Sequence, residues 1–285
     1  YAERNAFSPV VDHLESLPAW DGVERMAEAI PTVKHTDYTR GALSSFFLGI
    51  LARTFEPGVQ HDTMLVLVGG QGFRKTTFLR SIFPDHIHLA ELQNVPSAAR
   101  YKDLLAICHA GPIAVFDEVD KLRSKADQSA VKEFITLRAD TWRAPWGRVD
   151  ATYRRRFVLA GTTNQESFLL DPTGNRRFHP VSIESKIPAD ALSRERMDQI
   201  LAEALHRYRA GERADISDVF EAAAEAVRAA HFEDPVRDAV HATLDSIFTS
   251  GFWFDPINSP EGIRVGSRTG AINAICVAAV RDLVP

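Results

Sequence analysis

Val66-Leu67-Val68-Gly69-Gly70-Gln71-Gly72-Phe73-Arg74-Lys75-Thr76-Thr77 runs from an apolar strand through a glycine-rich turn into Lys-Thr at the start of a helix. Such a turn holds phosphates. Its backbone N–H groups point inward at the anion, the helix N-terminus adds its dipole, a lysine reaches the β and γ oxygens, and a threonine hydroxyl ligates Mg²⁺. The stretch therefore predicts that Gly69, Gly70, Gln71, Gly72, Phe73, Arg74, Lys75, Thr76 and Thr77 bind a nucleoside triphosphate. Against the pattern G-x-x-x-x-G-K-[ST], read from Gly69 to Thr76, Arg74 occupies the place of the second glycine. Its side chain must fit beside the phosphates or point away from them, which predicts reduced affinity or turnover. Gly70 and Gly72 keep the turn supple. The alternative is a glycine turn that merely joins a buried strand to a helix.

Outward from this turn, short apolar strands alternate with helices. Residues 64–68, 113–116 and 157–160 read as buried strands, the last running into Gly161-Thr162-Thr163-Asn164, and 76–82 reads as a helix. This pattern predicts an α/β fold with a mostly parallel central sheet flanked by helices, with ligands beyond the carboxyl ends of the strands. Helical spacing appears within 7–55, 189–209 and 216–231, and in a last apolar helix at 271–283 after a turn-rich section at 252–267. The expected divisions are an N-terminal helical segment (1–56), the P-loop nucleotide-binding core (57–187), a C-terminal helical segment (188–250) and the start of a truncated winged-helix domain (251–285).

At 285 residues, 45% of them hydrophobic, the chain can bury a full core together with smaller accessory segments. A formal charge of −5 gives no global positive field, so nucleic acid would have to meet a local patch. Cys108 and Cys276 are the two cysteines, without metal-type spacing, which suits a reducing compartment. No apolar run spans a bilayer and no secretion pattern opens the chain, so a cytoplasmic location is expected. Beginning at Tyr1, the chain reads as a piece of something longer.

The strand at 113–116 ends in Asp117-Glu118, in the order after Lys75 expected if both strand ends face one nucleotide. Asp117 would hold the Mg²⁺ sphere with Thr76, and Glu118 would polarise the attacking water. A solvated acidic turn is the alternative. Asn164 can hydrogen-bond a γ-phosphate and a water at once, or simply form a turn. Arg176 and Arg177 follow a Gly-Asn turn and suit the neutralisation of a neighbouring subunit's γ-phosphate, or surface pairing with Asp171 or Glu184.

Residues 138–156 carry six arginines against Asp140 and Asp150, with Trp142, Trp146 and Tyr153 interleaved and a hairpin-like tip at Ala144-Pro145-Trp146-Gly147-Arg148. Arg143, Trp146, Arg148, Arg154 and Arg155 are the candidate nucleic-acid contacts, guanidinium to phosphate and ring to base. The alternative is a basic loop with its tryptophans packed in the core.

Together these stretches resemble the virulence-associated E family of phages and mobile elements, whose ATPase domain is similar to superfamily 3 helicases and the wider AAA+ class. The resemblance is carried by Leu17-Pro18-Ala19-Trp20-Asp21-Gly22-Val23, Phe55-Glu56-Pro57-Gly58, Gly70-Gln71-Gly72, Arg143 to Arg148, and above all Gly161-Thr162-Thr163-Asn164 through Thr173-Gly174-Asn175-Arg176-Arg177-Phe178, and it covers about residues 8–230. It implies an AAA+-like P-loop fold and a hexameric, ATP-driven motor that threads a nucleic-acid strand, often joined to a primase-like module. By position Lys75 and Thr76 fall in the phosphate loop, Asp117 and Glu118 at the metal and water, Asn164 at the first sensor, Arg176 or Arg177 at the arginine finger, and 143–156 at the channel hairpin. The expected function is an ATP-dependent DNA helicase or translocase. Two other readings keep the loop: a nucleotide-binding assembly module with hydrolysis weakened by Arg74, and a small-molecule kinase.

Overall fold

The computed structural model describes residues 8–92, 101–119, 124–142, 149–169, 175–213, 218–232, 252–254 and 265–267. Five parallel strands form the central sheet in the order β2-β3-β6-β1-β7: β1 (Met64–Val68), β2 (Ala90–Leu92), β3 (Ile113–Phe116), β6 (Val158–Thr163) and β7 (Phe178–Ser182). β1, β3 and β6 lie inside the sheet and are buried at every residue, which is why β1, β3 and the start of β6 read as apolar runs.

Side chains alternate between the two faces with the period of a strand. Leu65, Leu67, Val115 and Ala160 face one core, closed by α1 (Pro9–Glu15), α2 (Asp37–Phe55), α3 (Lys75–Ser81) and α6 (Arg194–Arg209). Met64, Val66, Val68 and Phe116 face a second core, with α4 (Tyr101–Cys108), α5 (Lys125–Thr136) and the hairpin of β4 (Ala139–Trp142) and β5 (Ala151–Arg154). The fold is therefore α/β, with a parallel sheet between helical layers.

α2 starts at a capping box between Thr36 and Thr39 and is buried on nearly all sides, as a helix in the middle of a layer must be. Its Gly49 lies against the ring of His61, so a Cβ there would come within 2.3 Å of the ring. Burial pushes the His61 imidazole down to about 3, so the ring packs as a neutral group. Gly49→Ala should cost about 1–3 kcal/mol through overpacking, read as a lowered thermal midpoint. An unchanged midpoint would show that His61 yields without strain.

β7 is an edge strand with Pro180 at its middle residue, opposite Val66 of β1. The Tyr38 hydroxyl of α2 donates to the Pro180 carbonyl at 3.0 Å. Helix α7 (Asp218–Ala230) packs beside β7, with Phe220 stacked on Tyr38 and edge-on to His179.

The chain divides into two compact units at Phe232/Glu233, so residues 1–56, 57–187 and the helices up to Phe232 share one unit. In the second unit the described residues are β8 (Phe252–Phe254) and β9 (Val265–Ser267), an antiparallel pair lying inside the stretch that reads as turn-rich in sequence. The expected helix at 271–283 lies outside the described residues. Among the described residues no helix is long and apolar enough to cross a membrane.

Candidate functional site

The loop after β1 is held by backbone contacts on both sides. Gly69 N–H donates to the Thr163 carbonyl of β6 at 3.2 Å, and a Cβ at Gly69 would lie 2.8 Å from the Ile183 carbonyl. That close approach of main chain to main chain requires a glycine.

Arg74 closes the loop in the left-handed region (φ 67°), a conformation that costs a non-glycine residue about 1 kcal/mol. Its guanidinium Nη1 donates to the Ile187 carbonyl at 3.1 Å, and Ile187 N–H donates to the Phe73 carbonyl at 3.2 Å. Of the two placements open to Arg74, the side chain therefore takes the one against the segment that follows β7.

Lys75 is buried, and its Nζ donates to the Gly69 carbonyl (2.6 Å), the Gly70 carbonyl (3.0 Å) and Asn164 Oδ1 (2.7 Å). Thr76 Oγ1 donates to Asp117 Oδ1 at 3.1 Å, and the same oxygen accepts from Thr162 Oγ1 at 2.6 Å. Glu118 follows with φ 60°, and its N–H meets Thr162 Oγ1 at 3.4 Å. Lys75, Thr76, Asp117, Glu118 and Asn164 thus gather beyond the carboxyl ends of β1, β3 and β6. A positive φ at a non-glycine acid is uncommon and gathers at functional sites.

Thr162 joins this group without having been singled out from the sequence. The strand read from the sequence ends at 160, yet β6 continues to Thr163 by pairing with both neighbours, Phe116↔Gly161 and Val68↔Thr163. Extending the period-two alternation two residues further would have pointed Thr162 to the side of Asp117.

An oxygen set of one threonine hydroxyl and one carboxylate, completed by phosphate oxygens and water, suits a hard Mg²⁺ ion. Among the described residues no group of three His, Cys, Asp or Glu gathers to hold a metal.

Arg176 and Arg177 lie in a 3₁₀ turn (Asn175–Arg177) at the amino end of β7. β7 runs parallel to β1 with Phe178 beside Met64, so this turn sits at the end of the sheet opposite Lys75. With Glu225, Arg228 and Phe232 of α7 and its end, the turn lines a cleft of about 520 Å³. Arg228 is buried and pairs with Glu221 at 3.0 Å.

The basic segment divides differently from the expectation. Arg143, Trp146 and Arg148 lie outside the described residues. Arg154 is exposed on β5. Arg155, expected at the nucleic acid, is 1% exposed and belongs to the core: it makes a bidentate pair with Asp140 (Nε–Oδ2 2.8 Å, Nη2–Oδ1 2.7 Å) and stacks over the Phe134 ring at 4.1 Å. His109 Nε2 reaches Asp140 Oδ2 at 2.9 Å. Trp142 is likewise buried, against Tyr153 (4.1 Å between centroids) and His109 (4.7 Å), so for this ring the packing alternative holds.

The chain matches the family described as Virulence-associated protein E-like domain over residues 14–233. No curated protein matches it. Among solved structures it resembles the apo NrS-1 C-terminal region at 14% identity and a TM-score of 0.48, covering 86% of this chain and 60% of that one. The A form of the apo NrS-1 C-terminal region matches at 13% identity and a TM-score of 0.48, covering 86% and 59%. The chain spans about three fifths of the length of these structures.

Proposed function

Since the chain belongs to the Virulence-associated protein E-like domain family, we propose that it is the ATP-dependent DNA helicase or translocase domain of a phage or mobile-element replication protein, working as a ring. The observation that carries this reading is the convergence of Lys75, Thr76, Asp117 and Asn164 through direct hydrogen bonds.

In this reading the Lys75 ammonium turns from the Gly69 and Gly70 carbonyls to the β and γ oxygens of ATP. Thr76 and Asp117 would hold a Mg²⁺ ion, which would supply positive charge to offset that of the phosphates. Thr162, whose hydroxyl donates to Asp117 Oδ1, would fix the orientation of that carboxylate. Glu118 orients a water whose oxygen bonds to the γ-phosphorus as the bond to the bridging β–γ oxygen breaks; ADP leaves with that electron pair and the water's proton passes to the carboxylate. Asn164, its Oδ1 turned to Lys75, directs its NH₂ group at the γ-phosphate. Arg176 or Arg177 reaches the nucleotide of a neighbouring copy, a role consistent with its place at the far end of the sheet. Arg154 and the arginines of the β4–β5 hairpin meet the strand.

A second reading, a nucleotide-binding assembly module with weak hydrolysis, draws support from Arg74 in the place of the loop glycine. Strand displacement on a forked duplex, with phosphate release measured in the same reaction, separates the two. ATP-dependent displacement is expected. Nucleotide binding without release or displacement would favour the module, and no binding of nucleotide would end both readings.

A further inference from the structure

The loop after β1 has both of its ends tied to one strap, residues 183–187. Ile183 N–H donates to the Val68 carbonyl at 2.7 Å where the loop begins, and Ile187 N–H donates to the Phe73 carbonyl at 3.2 Å where it ends. The Arg74 guanidinium adds a third tie, Nη1 to the Ile187 carbonyl at 3.1 Å. We infer that Arg74 is a positioning residue, whose guanidinium latches the phosphate loop to this strap and so fixes where Lys75 and Thr76 stand. The arginine then supports turnover, where its place in the sequence pattern leads one to expect impairment. The inference rests on the reading of the loop given under Proposed function.

Arg74 bears a cost that a gained contact must offset. Its φ of 67° lies in the region where glycine is at ease and a side chain is not. Residues held there by their surroundings gather at functional sites. The position is also a joint. The Arg74 carbonyl accepts from Phe78 N–H at 2.9 Å, the bond that opens the ladder of α3, while its side chain reaches the strap. Holding that side chain therefore holds the angle at which α3 leaves the loop, and with it the two residues that open the helix.

The strap is itself anchored. Ile183 and Ile187 are 3% and 0% exposed and belong to the first core. Glu184 N–H donates to the Thr32 carbonyl at 2.9 Å and Val33 bridges Ile183 in the antiparallel sense, so the N-terminal segment holds the strap as well. Ile187 precedes Pro188, which restricts its backbone to extended conformations.

At the far end of α3, Arg194 donates to the Ser81 carbonyl (3.0 Å) and the Ile82 carbonyl (2.8 Å). The helix that carries Lys75 and Thr76 is thus fixed at both ends by guanidinium groups. Displacing a reacting group by about 1 Å is enough to cost on the order of a hundredfold in rate, so a latch at this joint bears directly on turnover.

Phosphate release from ATP by the 285-residue chain tests the inference through three substitutions. Arg74→Gly restores the loop pattern and relieves the backbone, Arg74→Met keeps the stem and the left-handed backbone but removes the donor, and Arg74→Lys keeps a donor. The glycine and methionine variants should each lower kcat about tenfold with KM within about threefold, and the lysine variant should return kcat to within about threefold of the wild type. If the wild type binds ATP without releasing phosphate, the same order is expected in ATP affinity by calorimetric titration. Should the methionine variant fail to fold, the glycine variant decides. A glycine variant as fast as the wild type overturns the inference, as does a lysine variant no better than methionine. So does a lowered thermal midpoint with kcat of the folded protein unchanged, the mark of a purely structural arginine. These outcomes leave the loop reading intact, since Lys75→Ala reports on it separately. Failure of the wild type to bind ATP overturns the loop reading itself, and the latch with it.

Discussion

Lys75→Ala is expected to lower phosphate release from ATP by about two to three orders of magnitude, the usual loss when one preorganised donor to a developing charge is removed. The ammonium is held at three acceptors within 3.0 Å, the Gly69 and Gly70 carbonyls and Asn164 Oδ1, so it is positioned before substrate arrives. Without it the carbonyls of the loop face the anion uncompensated, and ATP affinity falls along with the rate. Asn164 loses its partner in the same substitution, so Asn164→Ala combined with Lys75→Ala should cost less than the two single losses added together. Steady-state release with and without DNA is the measurement, with circular dichroism confirming that the variant is folded. A variant that turns over at the wild-type rate would remove the 69–76 loop from the chemistry.

The second large effect is on stability. Arg155→Leu should destabilise the first unit by about 3–5 kcal/mol, because it leaves the buried Asp140 carboxylate without its bidentate guanidinium partner. For a unit of this size that is a fall in thermal midpoint on the order of 10 °C. Burial pushes the Asp140 carboxyl up, but hydrogen bonds from His109 and Arg155 outweigh burial and hold the group below the usual carboxylate range. A carboxyl lowered on folding contributes stability above its unfolded value of about 3.9, and that contribution is lost as the pH falls through the folded one. The acid limb of the wild type's stability should accordingly flatten in the variant. Replacing both partners, Arg155→Leu with Asp140→Leu, should recover much of the loss, since neither charge is then stranded. A midpoint unchanged by Arg155→Leu alone would show that the pair is not buried in solution.

The interior of the sheet was legible because its strands are buried on both faces. Residues 64–68 and 113–116 coincide with β1 and β3, as unbroken apolar runs should when helices cover both sides. β7 gave no such signal. Phe-His-Pro-Val-Ser contains a proline and a histidine, and it becomes a strand by pairing with β1 while His179 is buried, its imidazole pushed down to about 3 by desolvation. Tertiary packing decided this element.

The site was legible in its parts that follow strand ends. Lys75 and Thr76 follow the glycine loop after one apolar run, Asp117 and Asn164 come soon after two others, and the structure pairs Lys75 with Asn164 and Thr76 with Asp117 by hydrogen bonds. Arg154-Arg155-Arg156 shows the limit: three identical residues divide into exposed, buried and exposed. Composition reports the charge of such a run and cannot say which member is folded inward. The presence of Asp140 among the arginines was the available sign, since a lone acid in a basic segment needs a partner when it is buried.

Pro180 lies at the middle of the outer strand, where it has no N–H to offer, and its carbonyl is taken by Tyr38. An invading segment would find neither donor nor acceptor there to continue the ladder. Copies of this chain are thus steered away from zipping together through that border, a route to fibres, and must associate through the shapes and charges of their side chains.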